Sequence, residues 1–236
     1  MMKINYNDLR MYTYSNDTLI HGEIKGIVIQ FTGLNGTSMW KEDPEIALRM
    51  AKEGIVFLFP YINPWAWMNR DAVTYTDAVV DTLFEHYELS EITPIISTGG
   101  SMGGLCGLVY TRYAKRTPKA CAVNCPVCDL PYHYTERPDL PRTLVSAFGS
   151  YDMSLEDAMK TASPIHFVNE LQDVPYLILH CDKDLAVNKV KHSDRLVQKL
   201  SEKHNVTYVE VPDRGHCDLS PEAKEIYEDF MISMCK

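Results

Sequence analysis

No stretch of the 236-residue sequence approaches the roughly 18 uninterrupted apolar residues that a membrane-spanning helix needs. The opening "MMKINYNDLRMYTYSNDTLI" has neither an apolar core of signal-peptide length nor a small-residue cleavage site, so a cytoplasmic location is expected. Positive charge is also short. The 23 Lys and Arg against 32 Asp and Glu leave a formal net charge of -9, without the clustered cations that nucleic acid requires. The seven cysteines are odd in number and spread through apolar segments, which reads as reduced thiols and not as a disulfide framework. One C-x-x-C, "CPVC" at 125–128, has no second pair and only His133 nearby, so Cys125 and Cys128 are expected to be buried thiols, with no metal and no cofactor. Internal repeats, linkers and low-complexity tracts are lacking too, which leaves one domain over residues 1–236.

What is present alternates. Strand-like runs at 26–33, 55–62, 93–100, 119–127, 174–182 and 205–213 are separated by helical patterns at 44–54, 71–89, 105–115, 190–204 and 220–235. Alternation of this kind predicts a doubly wound, mostly parallel sheet. In the second helix, Val73, Val80, Leu83 and Phe84 are spaced to face the core. In the last, Ser220 is placed to cap and Pro221 to open the first turn. Between 128 and 160 the periodicity fails and prolines, aromatics and charges collect, as in an excursion from the sheet.

Glycine is scarce, with 12 residues, yet four of them flank a single hydroxyl in "IISTGGSMGGLCGLVY". Gly99-Gly100-Ser101-Met102-Gly103 fits G-x-S-x-G, with a strand before it and a helix after it, and no G-K-[ST] follows that would make it a phosphate loop. The chemistry explains the spacing. A strand that turns abruptly into a helix holds the serine in a strained conformation, and small neighbours let the two elements pack around it. The helix N-terminus then aims backbone N–H groups at an anion formed beside that serine.

With "GGSMGG" the sequence resembles an α/β-hydrolase of the prolyl oligopeptidase-like or dienelactone hydrolase-like kind. "FTGLNG" is similar to that family's H-G-x-x-G turn, "TASPIHFVNELQDVPYLILHCDKDLAV" to its acid-bearing segment, and "PDRGHC" to its histidine loop. Thr32 stands where many relatives have histidine, and Cys181 where they have glycine. The resemblance implies an α/β-hydrolase fold with a short cap-like insertion, about 128–160. It makes Ser101 the nucleophile, His216 the general base and Asp184 the acid, with Asp182 and Asp152 as lesser candidates. The oxyanion hole would use the N–H of Met102 and that of Leu34, or of Asn35 if the turn is shifted by one. Asn35, Trp65, Trp67 and Phe148 are candidates for contact with substrate. The two tryptophans and the residues of the insertion could equally be structural packing.

The expected function is hydrolysis of a small-molecule carboxylic ester through an acyl-serine intermediate. A small serine peptidase and a non-catalytic scaffold or ligand-binding protein are the alternatives. A homo-oligomer is compatible with the sequence.

Overall fold

The computed structural model describes residues 2–37 and 39–236. Its centre is a seven-stranded sheet: β1 (Thr13–Ser15), β2 (Gly26–Phe31), β3 (Ile55–Pro60), β4 (Ile95–Gly100), β5 (Ala120–Asn124), β6 (Tyr176–Cys181) and β7 (Val206–Val211). The strand order is β1-β3-β2-β4-β5-β6-β7, parallel throughout except for the antiparallel edge pair β1–β3. This is the α/β-hydrolase fold that the motifs imply.

Alternation along the strands divides the core in two. Ile27, Ile29 and Phe31 of β2 point to one face with Val56 and Leu58 of β3, while Val28 and Phe57 point to the other. The second face is covered by α1 (Glu45–Lys52) and α8 (Pro221–Met234), through Ala47, Met50, Tyr227 and Met231. The first face carries α2 (Arg70–His86) and α3 (Met102–Tyr113), together with the insertion and α7 (Arg195–Leu200). Val80, Leu83 and Phe84 of α2 are buried and Val73 packs at their margin. Ser220 caps α8 by accepting the Ala223 N–H at 3.2 Å.

The insertion, where the sequence loses periodicity, folds into helices. It forms α4 (Leu130–His133), α5 (Leu140–Phe148) and α6 (Leu155–Thr161), with Leu130, Leu140, Leu144, Phe148, Ala158 and Met159 all buried. The long helix expected at 190–204 is also modified. Val190–Asp194 is a π-helical turn that precedes α7. The wider turn brings His192 and Ser193 inward, and both are completely buried.

The chain runs from β2 outward to β3 and then crosses to β4 on the other side of β2. The carboxyl ends of β2 and β4 therefore form a topological switch point, the place where open α/β sheets bind ligands. The Gly33 turn and Ser101 emerge at those two ends, paired through Phe31 and Gly99.

Candidate active site

Ser101 links β4 to α3 with φ 59° and ψ -125°, a left-handed conformation unusual for a residue with a Cβ. Packing holds it there. A Cβ on Gly99 would lie 2.5 Å from the Gly103 backbone, and one on Gly103 would lie 2.3 Å from the Phe31 carbonyl oxygen. The glycines thus let α3 approach both β4 and β2 closer than any side chain permits. The Ser101 N–H donates to Asn124 O at 3.0 Å, and its carbonyl accepts from Val127 at 3.3 Å. Beneath the turn, the buried Tyr227 hydroxyl bonds to Thr98 Oγ1 and accepts the Gly99 N–H at 3.2 Å. Tyr227 carried no motif in the sequence; only its periodicity within α8 marks it as facing inward.

The acid and base candidates meet. Asp184, in the turn after β6, has a side chain with no exposed surface, and its Oδ2 accepts from His216 Nδ1 at 2.7 Å. Oδ1 accepts the N–H groups of Ala186 and Val187 at 2.8 and 3.0 Å. His180 Nε2 lies 3.3 Å from Oδ2, while its Nδ1 bonds to Ser193 Oγ at 2.7 Å. A chain of contacts therefore runs from the π-turn through His180 to Asp184 and on to His216. His180, within "LILHCDKD", was not singled out from the sequence; its signal was the i, i+4 spacing to Asp184.

Burial alone would raise the pKa of Asp184, but the hydrogen bonds from His180, His216 and the Val187 N–H outweigh it and keep the carboxyl ionised. For His216, burial favours the neutral ring, yet the bond to Asp184 prevails and lifts the pKa above the ordinary imidazole value. In the neutral ring the same bond commits the proton to Nδ1 and leaves the Nε2 lone pair free. Asp182 differs: its side chain is partly exposed and lies 3.5 Å from Lys183 Nζ. Asp152 is exposed in the turn before α6.

The loop bearing His216 rests on the elbow. A Cβ on Gly100 would lie 3.0 Å from Cys217 Sγ, and Asn124 Nδ2 donates to the Cys217 carbonyl at 3.3 Å. Ser101 Oγ and His216 Nε2 share no hydrogen bond among the described residues; Nε2 instead faces Cys217 Sγ at 3.7 Å.

Met102 is the first residue of α3, so its N–H has no intrahelical acceptor. In the turn after β2, the Asn35 N–H is bonded to Pro64 O at 2.9 Å and that of Gly36 to Gly33 O at 3.1 Å. The shifted alternative at Asn35 is therefore occupied, whereas the Leu34 N–H has no such backbone acceptor among the described residues. Asn35 and Trp65 line a cavity of about 430 Å³ with Asp139, Arg142 and Thr143 of the insertion. A second cavity, about 340 Å³, continues past Trp65 to Asn69, Tyr75 and Ser146. Two expectations need correction. Trp67 is completely buried against His133 and donates its indole N–H to Thr143 Oγ1 at 3.0 Å, and Phe148 is buried against Tyr151. Neither can line a substrate cleft; both join the insertion to the core.

A strained serine at a strand–helix turn, with an Asp–His pair presented beside it from later strands, defines an α/β-hydrolase of the serine-hydrolase type. A profile of the prolyl oligopeptidase family matches residues 67–233, well over half of the sequence, and the chain belongs to that family. No curated protein matches the sequence. Among solved structures, puromycin hydrolase superposes with a TM-score of 0.72 at 17% identity, covering 90% of this chain and 34% of its own. Esterase B from Lactobacillus Rhamnosis gives 0.70 at 14% identity, covering 91% of this chain and 76% of its own. A truncated carbohydrate esterase from gut microbiota gives 0.68 at 18% identity, with 91% and 87% covered. This chain thus spans about a third of the puromycin hydrolases it resembles.

Proposed function

We propose that the protein hydrolyses carboxylic esters through an acyl intermediate on Ser101. The observation that carries this reading is the Asp184–His216 pair, 2.7 Å apart, with His216 on a loop packed against Gly100 beside the strained serine. Ser101 Oγ attacks the acyl carbon as His216 Nε2 takes its proton, the bond between them tightening once substrate is seated. Asp184 holds the tautomer and stabilises the imidazolium. The N–H groups of Met102 and Leu34 receive the oxyanion. His216 then protonates the departing alcohol, and water repeats the sequence on the acyl-enzyme. The substrate enters between the Asn35 turn and α5, where Trp65 supplies an apolar wall.

Ester chemistry is preferred because an alkoxide leaves more readily than an amine. The esterases among the similar structures are also spanned over most of their length, 76% and 87%. Peptide hydrolysis is the second reading, favoured by the family to which the chain belongs. The test is a panel of p-nitrophenyl esters of increasing acyl length, aryl esters, and aminoacyl and prolyl p-nitroanilides. Ester turnover is expected, falling by at least about 10³-fold in Ser101→Ala. Anilide cleavage at comparable efficiency would favour the peptidase, and turnover that persists in the variant would overturn the role of Ser101.

A further inference from the structure

The cysteines near His216 are not used by the proposed reaction, although they surround its base. Cys125 Sγ, Cys217 Sγ and a ring nitrogen of His216 all lie within 4.8 Å of one another. Cys125 comes from the end of β5, far in sequence from the other two, so the cluster is made by the fold. The geometry points to an inhibitory zinc site in which Cys125, Cys217 and His216 bind one ion through two sulfurs and Nε2.

Three observations support this assignment. With Zn–S about 2.3 Å and Zn–N about 2.0–2.1 Å, a tetrahedral S–Zn–N edge is about 3.6 Å. The observed separation of Cys217 Sγ and His216 Nε2 is 3.7 Å. Asp184 already holds Nδ1 of His216, which is the carboxylate–histidine arrangement that directs the other ring nitrogen toward a metal. The Cys181 N–H donates to Cys125 Sγ at 3.4 Å, a contact that steadies a thiolate. Cys125 is buried while Cys217 and His216 are partly exposed, so an ion enters from the solvent side and keeps one open position.

The separate cluster of His133, Glu136 and His192 does not offer this chemistry. His192 Nδ1 accepts the N–H groups of Cys128 and Asp129 at 3.0 and 3.3 Å, so its Nε2 carries a proton and donates to Glu136. It has no lone pair to give.

Zinc binding forms two Zn–S bonds and one Zn–N bond and releases both thiol protons to solvent, so affinity rises with pH. The ion occupies the lone pair that Ser101 needs. That inhibitory consequence rests on the hydrolase reading; the site itself does not.

The test separates the two. Purified, reduced protein is stripped with chelator and titrated with Zn²⁺ against a chromophoric competitor, then with Co²⁺ followed by absorption. One ion per chain is expected, with a thiolate-to-cobalt charge-transfer band. Cys217→Ala, at a partly exposed position, should weaken zinc binding by at least about 100-fold and reduce that band. Ser101→Ala should bind as the parent does. A Cys217→Ala protein that binds as tightly as the parent, or a cobalt spectrum with no thiolate band, overturns the site. Where esters are turned over, zinc should abolish turnover and chelator restore it; activity that persists in the fully zinc-loaded protein overturns the inhibition.

Discussion

Asp184 and Asp182 are two residues apart and differ in what surrounds their oxygens. Asp184 has both oxygens saturated by donors, one of them on His216, whereas Asp182 reaches only a surface lysine. Asp184→Asn reverses the donor requirement at His216 Nδ1 and favours the wrong tautomer. Turnover should fall by roughly 10³–10⁴-fold. Asp182→Asn should stay within a few-fold of the parent. The pH profile gives the sign. His216 must be neutral to act as a base, and Asp184 raises its pKa, so the parent's activity climbs with pH along a limb displaced above the ordinary imidazole value. Removing the carboxylate should move that limb to lower pH. Profiles of kcat/KM in chelator-treated buffer would reveal it, and a limb that does not move would break the link between Asp184 and His216.

Among the elements, the elbow was legible because it is made locally: a strand, a helix and the glycines that separate them are contiguous in sequence. Gly103→Ala tests the packing reason for those glycines. Its methyl would meet the Phe31 carbonyl at 2.3 Å, so β2 and α3 must part, at a cost of roughly 1–3 kcal/mol and most of the activity. Gly107→Ala, one turn further on, meets the Val123 side chain at 3.4 Å and the Thr98 backbone at 3.5 Å, ordinary van der Waals distances. The better helix propensity of alanine, up to about 1 kcal/mol, offsets those contacts, and stability should hold or rise. Urea unfolding of the pair would decide, and equal losses would remove the close-approach argument. The elements that sequence did not disclose owe their structure to distant contacts. β1 is three residues long and exists by pairing with β3. Helices α4 and α5 are short, open with prolines and are held by tertiary burial, which helical periodicity in a window of that length does not register. The π-turn likewise answers to its distant partners, the buried His180 and the partly buried Glu136.

At the scale of the whole molecule, Glu136 ties the insertion to the segment that follows β6. Its Oε2 accepts from His133 Nδ1 at 2.5 Å and His192 Nε2 at 2.9 Å, and its Oε1 accepts the Asn188 N–H at 3.3 Å. The insertion lines the cavity beside Trp65, and the segment after β6 carries Asp184, so this carboxylate holds those two parts of the chain relative to each other. Burial would raise its pKa, but the donors from His133 and His192 prevail and lower it from 4.5 to about 2. A carboxyl depressed on folding stabilises the native state fully above its unfolded value of 4.5, and that contribution is lost as pH falls toward about 2. Glu136→Gln keeps the shape and removes the titration. The variant should be less stable than the parent by roughly 1–3 kcal/mol at pH 7, where a partly buried charged acceptor has been lost. Below pH 4.5 the difference should narrow, because only the parent continues to lose stability through this group. Urea midpoints of both proteins across this range measure the effect directly. Two curves that run parallel down to pH 3 would mean that the clasp contributes through its shape alone and not through its charge.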